Sequence, residues 1–357
     1  MNSNLKRNIR IFKIFLILFL PNLFLLKGAD LYLKRQVYLM DEEDRVFKRV
    51  TKIALSGNEL FIVENIKSQL FKYQLKNKSL KYVKTIARRG VGPGDLNLPI
   101  HIFIDSDMVI VKDEIGISYF KKDGSFISKF RAFTPISSFA SVNNRIYILH
   151  SNPDISNLIN IYDNKGKMIG GIGNKFLNID YSKSKTENKF RVDKFFYEGK
   201  VLSDEKYIYY FNAKFGHAMI FDLKGEKILE KNILPFFGKA GNVILKKNKE
   251  LLDNGMNSKD GSYFLYNLFI DMAIHRDKIY LIGIYAHNDH EDFNFFKNNY
   301  VLMGINKKTL ELEEKYIIHI EKNESINSFT VGDRNGNPVF LTFMTFETDD
   351  GFVEFKK

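Results

Sequence analysis

Val142-Asn143-Asn144-Arg145-Ile146-Tyr147-Ile148-Leu149, with Tyr162-Asp163-Asn164-Lys165-Gly166 after it, is the stretch on which the fold turns. A polar turn opens it, and the alternating apolar residues that follow have the period of a β-strand. A second strand ends on the aromatic Tyr162, and a tight turn places glycine four residues later. A hairpin whose last position takes positive φ favours glycine there, because glycine has no β-carbon to clash. The turn-and-strand unit recurs before Leu60-Phe61-Ile62-Val63, Met108-Val109-Ile110-Val111, Tyr207-Ile208-Tyr209-Tyr210, Ile279-Tyr280-Leu281-Ile282 and Pro338-Val339-Phe340-Leu341. The aromatic turn recurs as Phe120-Lys121-Lys122-Asp123-Gly124 and Phe221-Asp222-Leu223-Lys224-Gly225. Tyr73 to Asn77 is a copy with asparagine in the glycine's place, the next-best residue for that conformation. Ile305 to Thr309 is a degenerate copy, and Phe355 stands at the matching point of a last unit.

The anchors Tyr73, Phe120, Tyr162, Phe221, Ile305 and Phe355 are 47, 42, 59, 84 and 50 residues apart. Four-stranded propeller blades repeat at about 40 to 50 residues. The chain therefore reads as all-β, a six-bladed β-propeller with insertions in two intervals; a seventh blade hidden in the 84-residue interval is the alternative. That interval holds an insertion near residues 230–262, where Val243 to Leu252 reads as a loop or short helix. A ring of blades must close. The last unit ends early, and the strand-like Leu31 to Leu39 precedes the first, so the N-terminal segment is expected to supply the outer strand of the last blade.

One connection carries a more specific pattern: Arg88-Arg89-Gly90-Val91-Gly92-Pro93-Gly94-Asp95-Leu96-Asn97-Leu98-Pro99, followed by Ile104 to Asp113 and Ile117-Ser118-Tyr119-Phe120. It resembles NHL-type six-bladed β-propellers, and more narrowly the exported six-bladed propeller proteins of bacteria, whose first blades are joined by a Gly-x-Gly-Pro-Gly-acid loop. The resemblance implies the fold and leaves activity open, since such propellers serve as binding platforms, scaffolds and sometimes lyases or lactonases. Many bacterial members carry a lipid-modified cysteine after the signal peptide. This sequence has none.

Composition narrows the classes further. The 357 residues carry a formal charge of +12, no Cys, no Trp, 33 Phe and 18 Tyr. Without cysteine there are no disulfides, thiolate metal sites, Cys nucleophile or lipid-modified N-terminal cysteine, so the protein is not expected to be a lipoprotein. Residues 1–29 hold Lys6, Arg7, Arg10, Lys13 and Lys27 and no acid, with apolar Ile14 to Leu20 broken by Pro21. A basic start, a short apolar run and small residues after it describe a signal peptide or, if uncleaved, an N-terminal anchor. Residues 30–357 then form a single propeller domain. These 29 residues supply +5 of the charge, and the other lysines are scattered along strands, as on solvated sheet faces. A nucleic-acid partner is not expected.

The candidate chemistry is thin. Gly90, Gly92 and Gly94 lack the helix a phosphate-binding loop needs and read as a tight connection between blades. His287, Asp289, His290 and Asp292 form the densest set of candidate metal ligands. Glu64, Asp113 and Asn212 follow the recurring strand in three blades, as channel-facing groups or as turn formers that end a strand. His101, His150, His217 and His275 sit near strand edges, with no Ser-His-Asp order.

The first reading is an exported bacterial protein, periplasmic, cell-surface or secreted, that binds a protein or peptide on its loop rim without catalysis. The residues for this are the 230–262 insertion and the 287–299 loop. The alternative is a metal-assisted, lactonase-like hydrolase or lyase in the central channel. No cofactor is expected, a divalent metal being the one exception the residues leave open. Membrane contact is expected only if residues 1–29 stay uncleaved.

Overall fold

The computed structural model of the chain describes residues 31–40, 47, 49–76, 79–132, 136–150, 157–174, 198–253, 266–284, 299–321, 323–334, 336–346 and 350–356. Two N-terminal strands, β1 (Leu31–Tyr32) and β2 (Lys34–Met40), precede the repeats. Blade 1 is β3 (Val50–Ser56), β4 (Glu59–Glu64), β5 (Gln69–Leu75) and β6 (Ser79–Ala87); blade 2 is β7 (His101–Asp105), β8 (Met108–Lys112), β9 (Gly116–Lys121) and β10 (Phe126–Arg131). Blade 3 is β11 (Ile136–Val142), β12 (Arg145–His150), β13 (Asn157–Asp163) and β14 (Met168–Asn174); blade 4 is β15 (Gly199–Ser203), β16 (Tyr207–Asn212), β17 (His217–Asp222) and β18 (Lys227–Asn232). A helix, α1 (Lys239–Asp253), follows blade 4. Blade 5 is β19 (Phe269–His275), β20 (Lys278–Ile284), β21 (Asn299–Asn306) and β22 (Leu312–His319); blade 6 has β23 (Ser325–Arg334), β24 (Asn337–Thr345) and β25 (Asp350–Lys356). Each blade is an antiparallel meander, and the first strands of the six blades stand side by side around the axis. The protein is a six-bladed β-propeller.

The repeated turns take the geometry their residues dictate. Gly124, Gly166 and Gly225 have φ of 91°, 83° and 96°. In two of these turns the preceding aspartate caps the bend: Asp163 accepts from the amides of Lys165 and Lys167, and Asp222 from those of Lys224 and Glu226, at 2.8–2.9 Å. The recurring apolar run is the second strand of every blade, buried on both sides. Six apolar clusters fill the six junctions between neighbouring blades, and among the described residues the buried Phe and Tyr lie in them. The glycine-rich stretch joins β6 to β7 and is folded on itself. Leu96 N donates to Arg88 O at 2.9 Å, Gly92 N donates to the Asp95 carboxylate at 2.9 Å, and Leu96 is buried. A β-carbon at Gly90 would run into that carboxylate.

Closure follows the expected route. β2 pairs antiparallel with β25, from Lys34 opposite Lys356 to Tyr38 opposite Phe352, and becomes the outer strand of blade 6. Its end then pairs with β6 of blade 1, and β1 adds to the edge of blade 5. The Tyr38 hydroxyl sits between Glu354 and Arg334, whose Nη2 donates to it at 2.6 Å. Burial, with Glu354 adding to it, pushes that hydroxyl up to about 12, so it stays protonated. Arg35 grips Glu324 through two parallel bonds of 2.8 and 2.9 Å.

Residues 230–232 of the expected 230–262 insertion still belong to β18; a 3₁₀ turn (Leu234–Phe237) and α1 follow, and residues 254–262 lie outside the described residues. The expected short element is a 15-residue helix. It buries Ala240, Ile244, Asn248 and Leu251 on one face. Asn248 bonds to Lys214 O, Tyr266 O and Tyr266 N at 2.7–3.0 Å, fixing the helix over blade 4. Among the described residues no helix is long and apolar enough to cross a membrane.

Deleting residues 31–40 is expected to abolish the single cooperative unfolding transition, read by calorimetry; an unchanged transition would refute the closure. Tyr38→Phe, which leaves Glu354 and Arg334 paired, is expected to cost about 1–2 kcal/mol in urea unfolding.

Candidate functional site in the axial channel

The first strands carry few consecutive large apolar residues, and the reason lies at the axis. Count eight residues back from the first fully buried residue of each second strand (Leu60, Val109, Ile146, Ile208, Ile279) and the positions are Lys52, His101, Ser138, Lys200 and Asp271. Cross-strand pairing makes these five equivalent, and in blade 6, whose hairpin is longer, the equivalent is Ser328. The six blades thus present one polar ring, Lys-His-Ser-Lys-Asp-Ser. The first five line an axial cavity of about 280 Å³.

Part of the ring joins blade to blade. Val201 N donates to Ser138 Oγ at 3.0 Å, Phe329 N to Asp271 Oδ2 at 3.0 Å, and Ile53 N to Ser328 Oγ at 3.1 Å. In each case the ring residue of one blade accepts from the amide just after the ring residue of the next. Lysine has no acceptor to offer in this pattern. After Lys200, the Met272 amide turns to Asp271 Oδ1 of its own blade at 3.0 Å.

Asp271 is the hub. Lys52 Nζ reaches its Oδ1 as a close ion pair, Lys200 Nζ approaches the same oxygen at 3.9 Å, and Ser328 Oγ donates to Oδ2 at 3.3 Å. Burial alone would raise this carboxyl, but the two ammonium groups and the bonds to it hold it below the usual carboxylate value. Burial, with Lys200 adding to it, lowers the Lys52 ammonium against the pull of Asp271. His101 hydrogen-bonds to the backbone of Ser137, and burial, then Lys200 and Lys52, push it from 6.5 down to about 3. It is a neutral imidazole at ordinary pH.

The sequence candidates lie elsewhere. Glu64, Asp113 and Asn212 are fully buried at or just past the ends of second strands, each turned into the loop that follows. Glu64 accepts from the amides of Arg49 and Lys67, Asp113 from those of Asn97, Ile115 and Gly116, and Asn212 from those of Lys214 and Phe215. Asp113 also pairs with Lys129 at 2.7 Å. His287, Asp289, His290 and Asp292 lie outside the described residues. His150 bonds to the Tyr162 hydroxyl at 3.1 Å and is pushed down to about 4 by burial. His217 faces Glu230 and His275 faces Asp333, each at 3.7 Å. Among the described residues no three His, Asp or Glu side chains converge on one point. Sequence reasoning missed the ring because it looked after the recurring strand; the constant offset of eight residues before it was the available signal.

No known family's sequence profile matches this chain, and no curated protein matches it. Solved structures do. A presumed exported protein from Bacteroides fragilis is similar at TM-score 0.56 and 14% identity, over 92% of this chain and 96% of that one. A member of the DUF4221 family from Bacteroides vulgatus is similar at TM-score 0.52 and 13% identity, over 92% and 99%. The likeness is one of fold.

Two expectations follow from the ring. Ser138→Ala and Ser328→Ala each leave a buried amide unpaired and are expected to cost about 1–3 kcal/mol in urea unfolding. Because His101 and His150 titrate far lower folded than unfolded, the unfolded chain takes up protons first as pH falls below about 6.5. Stability is therefore full above that pH and is lost as pH falls towards 4 and below. His101→Gln and His150→Gln are expected to flatten the dependence of the urea midpoint on pH between 6.5 and 4, whatever they do to its absolute value.

Proposed function

We propose that this chain is an exported, non-catalytic propeller of the NHL type that binds a protein or peptide through one rim. The observation that carries the reading is the distribution of connection lengths. In an up-and-down meander the turns from first to second and third to fourth strand lie on one face, and all other connections on the opposite face. On the first face every turn is two to five residues long. On the second, β6 to β7 takes 13 residues, β14 to β15 takes 24, β18 to β19 takes 36 with α1 among them, and β20 to β21 takes 14. Propellers vary where they bind, and rigid blades hold such connections without strain.

The surface chemistry on that face suits a partner with acidic and apolar groups. Lys239, Lys246 and Lys249 are exposed on α1 and in its first turn, and Val91 on the glycine-rich connection is 93% exposed. Export rests on residues 1–29, read as a signal peptide, or as an anchor if they remain. The alternative, a metal-assisted hydrolase or lyase, would need channel carboxylates free to coordinate. Asp271 is already bonded to Lys52, two amides and Ser328.

Peptides selected from a random display library on the full chain test this. They are expected to lose at least tenfold in affinity for a Lys246→Glu/Lys249→Glu variant and to bind a Lys165→Glu/Lys224→Glu variant, altered on the opposite face, like the parent. Equal losses, or loss on the opposite face alone, would overturn the rim assignment.

A further inference from the structure

We propose that the axial cavity is a binding site for a small organic monoanion, a carboxylate carrying a short apolar body. The ring brings two lysines to one aspartate, with a neutral imidazole beside them, and so holds one positive charge in excess. Asp271 has no capacity left to cancel it. A carboxylate offers about four lone-pair sites, and these take Lys52 and Met272 N at Oδ1, Phe329 N and Ser328 at Oδ2. Lys200 is left at 3.9 Å, and among the described residues its ammonium has no hydrogen-bond acceptor. Its side chain is 24% exposed, so solvent and solutes reach it, whereas Asp271 is at 3%.

The choice of residue sharpens the point. Serine at this ring position bridges neighbouring blades in two of the six cases, through Val201 N and Ile53 N. Lysine at 200 gives up that bridge and sets an under-compensated cation at the axis. A local rule broken at a stability cost is where function is expected. The site is also shaped for more than a bare ion. Ile53, Phe103, Phe139 and Met272 wall the same cavity. At about 280 Å³ it lies just below the range of sites for drug-sized ligands, and the His101 ring adds a neutral polar contact. Because the ring residues stand near the starts of the first strands, the charged end of the cavity faces the rim that bears the long connections. The proposal draws on the channel alone and stands or falls apart from the rim reading.

The test uses the full chain in a buffer free of carboxylate and phosphate. Acetate, butyrate, hexanoate and benzoate are titrated by calorimetry, with inorganic phosphate and chloride at matched ionic strength. The expected result is saturable one-to-one binding that tightens from acetate to hexanoate. It should weaken at least tenfold in Lys200→Ser, while that variant melts at or above the parent temperature without ligand. Should the serine variant not fold, Lys200→Met, which keeps the alkyl volume, carries the same loss of binding. Absence of saturable binding by every carboxylate, equal binding of phosphate or chloride and hexanoate, or undiminished binding by the Lys200 variant would each overturn the proposal.

Discussion

A ring of six sheets holds only if the last sheet is joined to the first, and here one short strand makes that join. β2 pairs with a strand more than 300 residues away and, at its far end, touches blade 1. The entropy of closing so long a loop is recovered only when the whole ring is in place, so contacts of this separation form late and make unfolding cooperative. There is no cysteine to staple the junction. Its strength comes from packing instead: Phe47 meets Phe71, Phe343 and Phe352 edge to face at 5.7 to 6.1 Å, across the junction between blades 6 and 1. Tyr38, Glu354 and Arg334 add a polar lock above it.

Closure is also what gives the axis its chemistry. Lys52 and Asp271 lie 219 residues apart in sequence and on blades that are not neighbours. They meet because every blade places its ring position at the same height. Once the height is common, the identity of the residue decides its role. Serine and aspartate stitch one blade to the next through a backbone amide, and lysine cannot. The stitched positions serve stability; the lysine positions put charge into the channel at the expense of a stitch. The blade-to-blade junctions, packed with large apolar side chains, make that expense tolerable.

The second and third strands were legible in the sequence because both of their faces are buried, and the turns that follow three of the third strands take glycine at positive φ. Ile146 to Leu149 and Tyr162 to Gly166 state this almost without help from the rest of the fold. The closing strand was legible from an unfinished last unit. The helix was underread because Asn248 stands at a buried position among Ala240, Ile244 and Leu251, interrupting the apolar period for the sake of its three backbone bonds. The channel was not legible. First strands have one edge on the axis, several bear a register shift near their start, and their ring residues share polarity without sharing type. Glu64, Asp113 and Asn212 look more like a recurring site than Lys52, His101 and Lys200 do, because in three blades the loop after the buried second strand takes an acceptor for its amides from that position.

Rim and channel are not separate features of the topology. Lys200 is the second residue of the strand that follows the 24-residue connection, and Asp271 the third residue of the strand that follows the α1 insertion. The backbone that leaves the long connections therefore enters the ring within one or two residues. The strand starts on which those connections end are held by the Val201–Ser138 and Phe329–Asp271 bonds. A propeller that varies one face can in this way change what it presents at the rim without disturbing the height of the ring. The inner strands are fixed by neighbours on both sides, and the described part of the α1 connection is tied to blade 4 through Asn248 and Lys214 O.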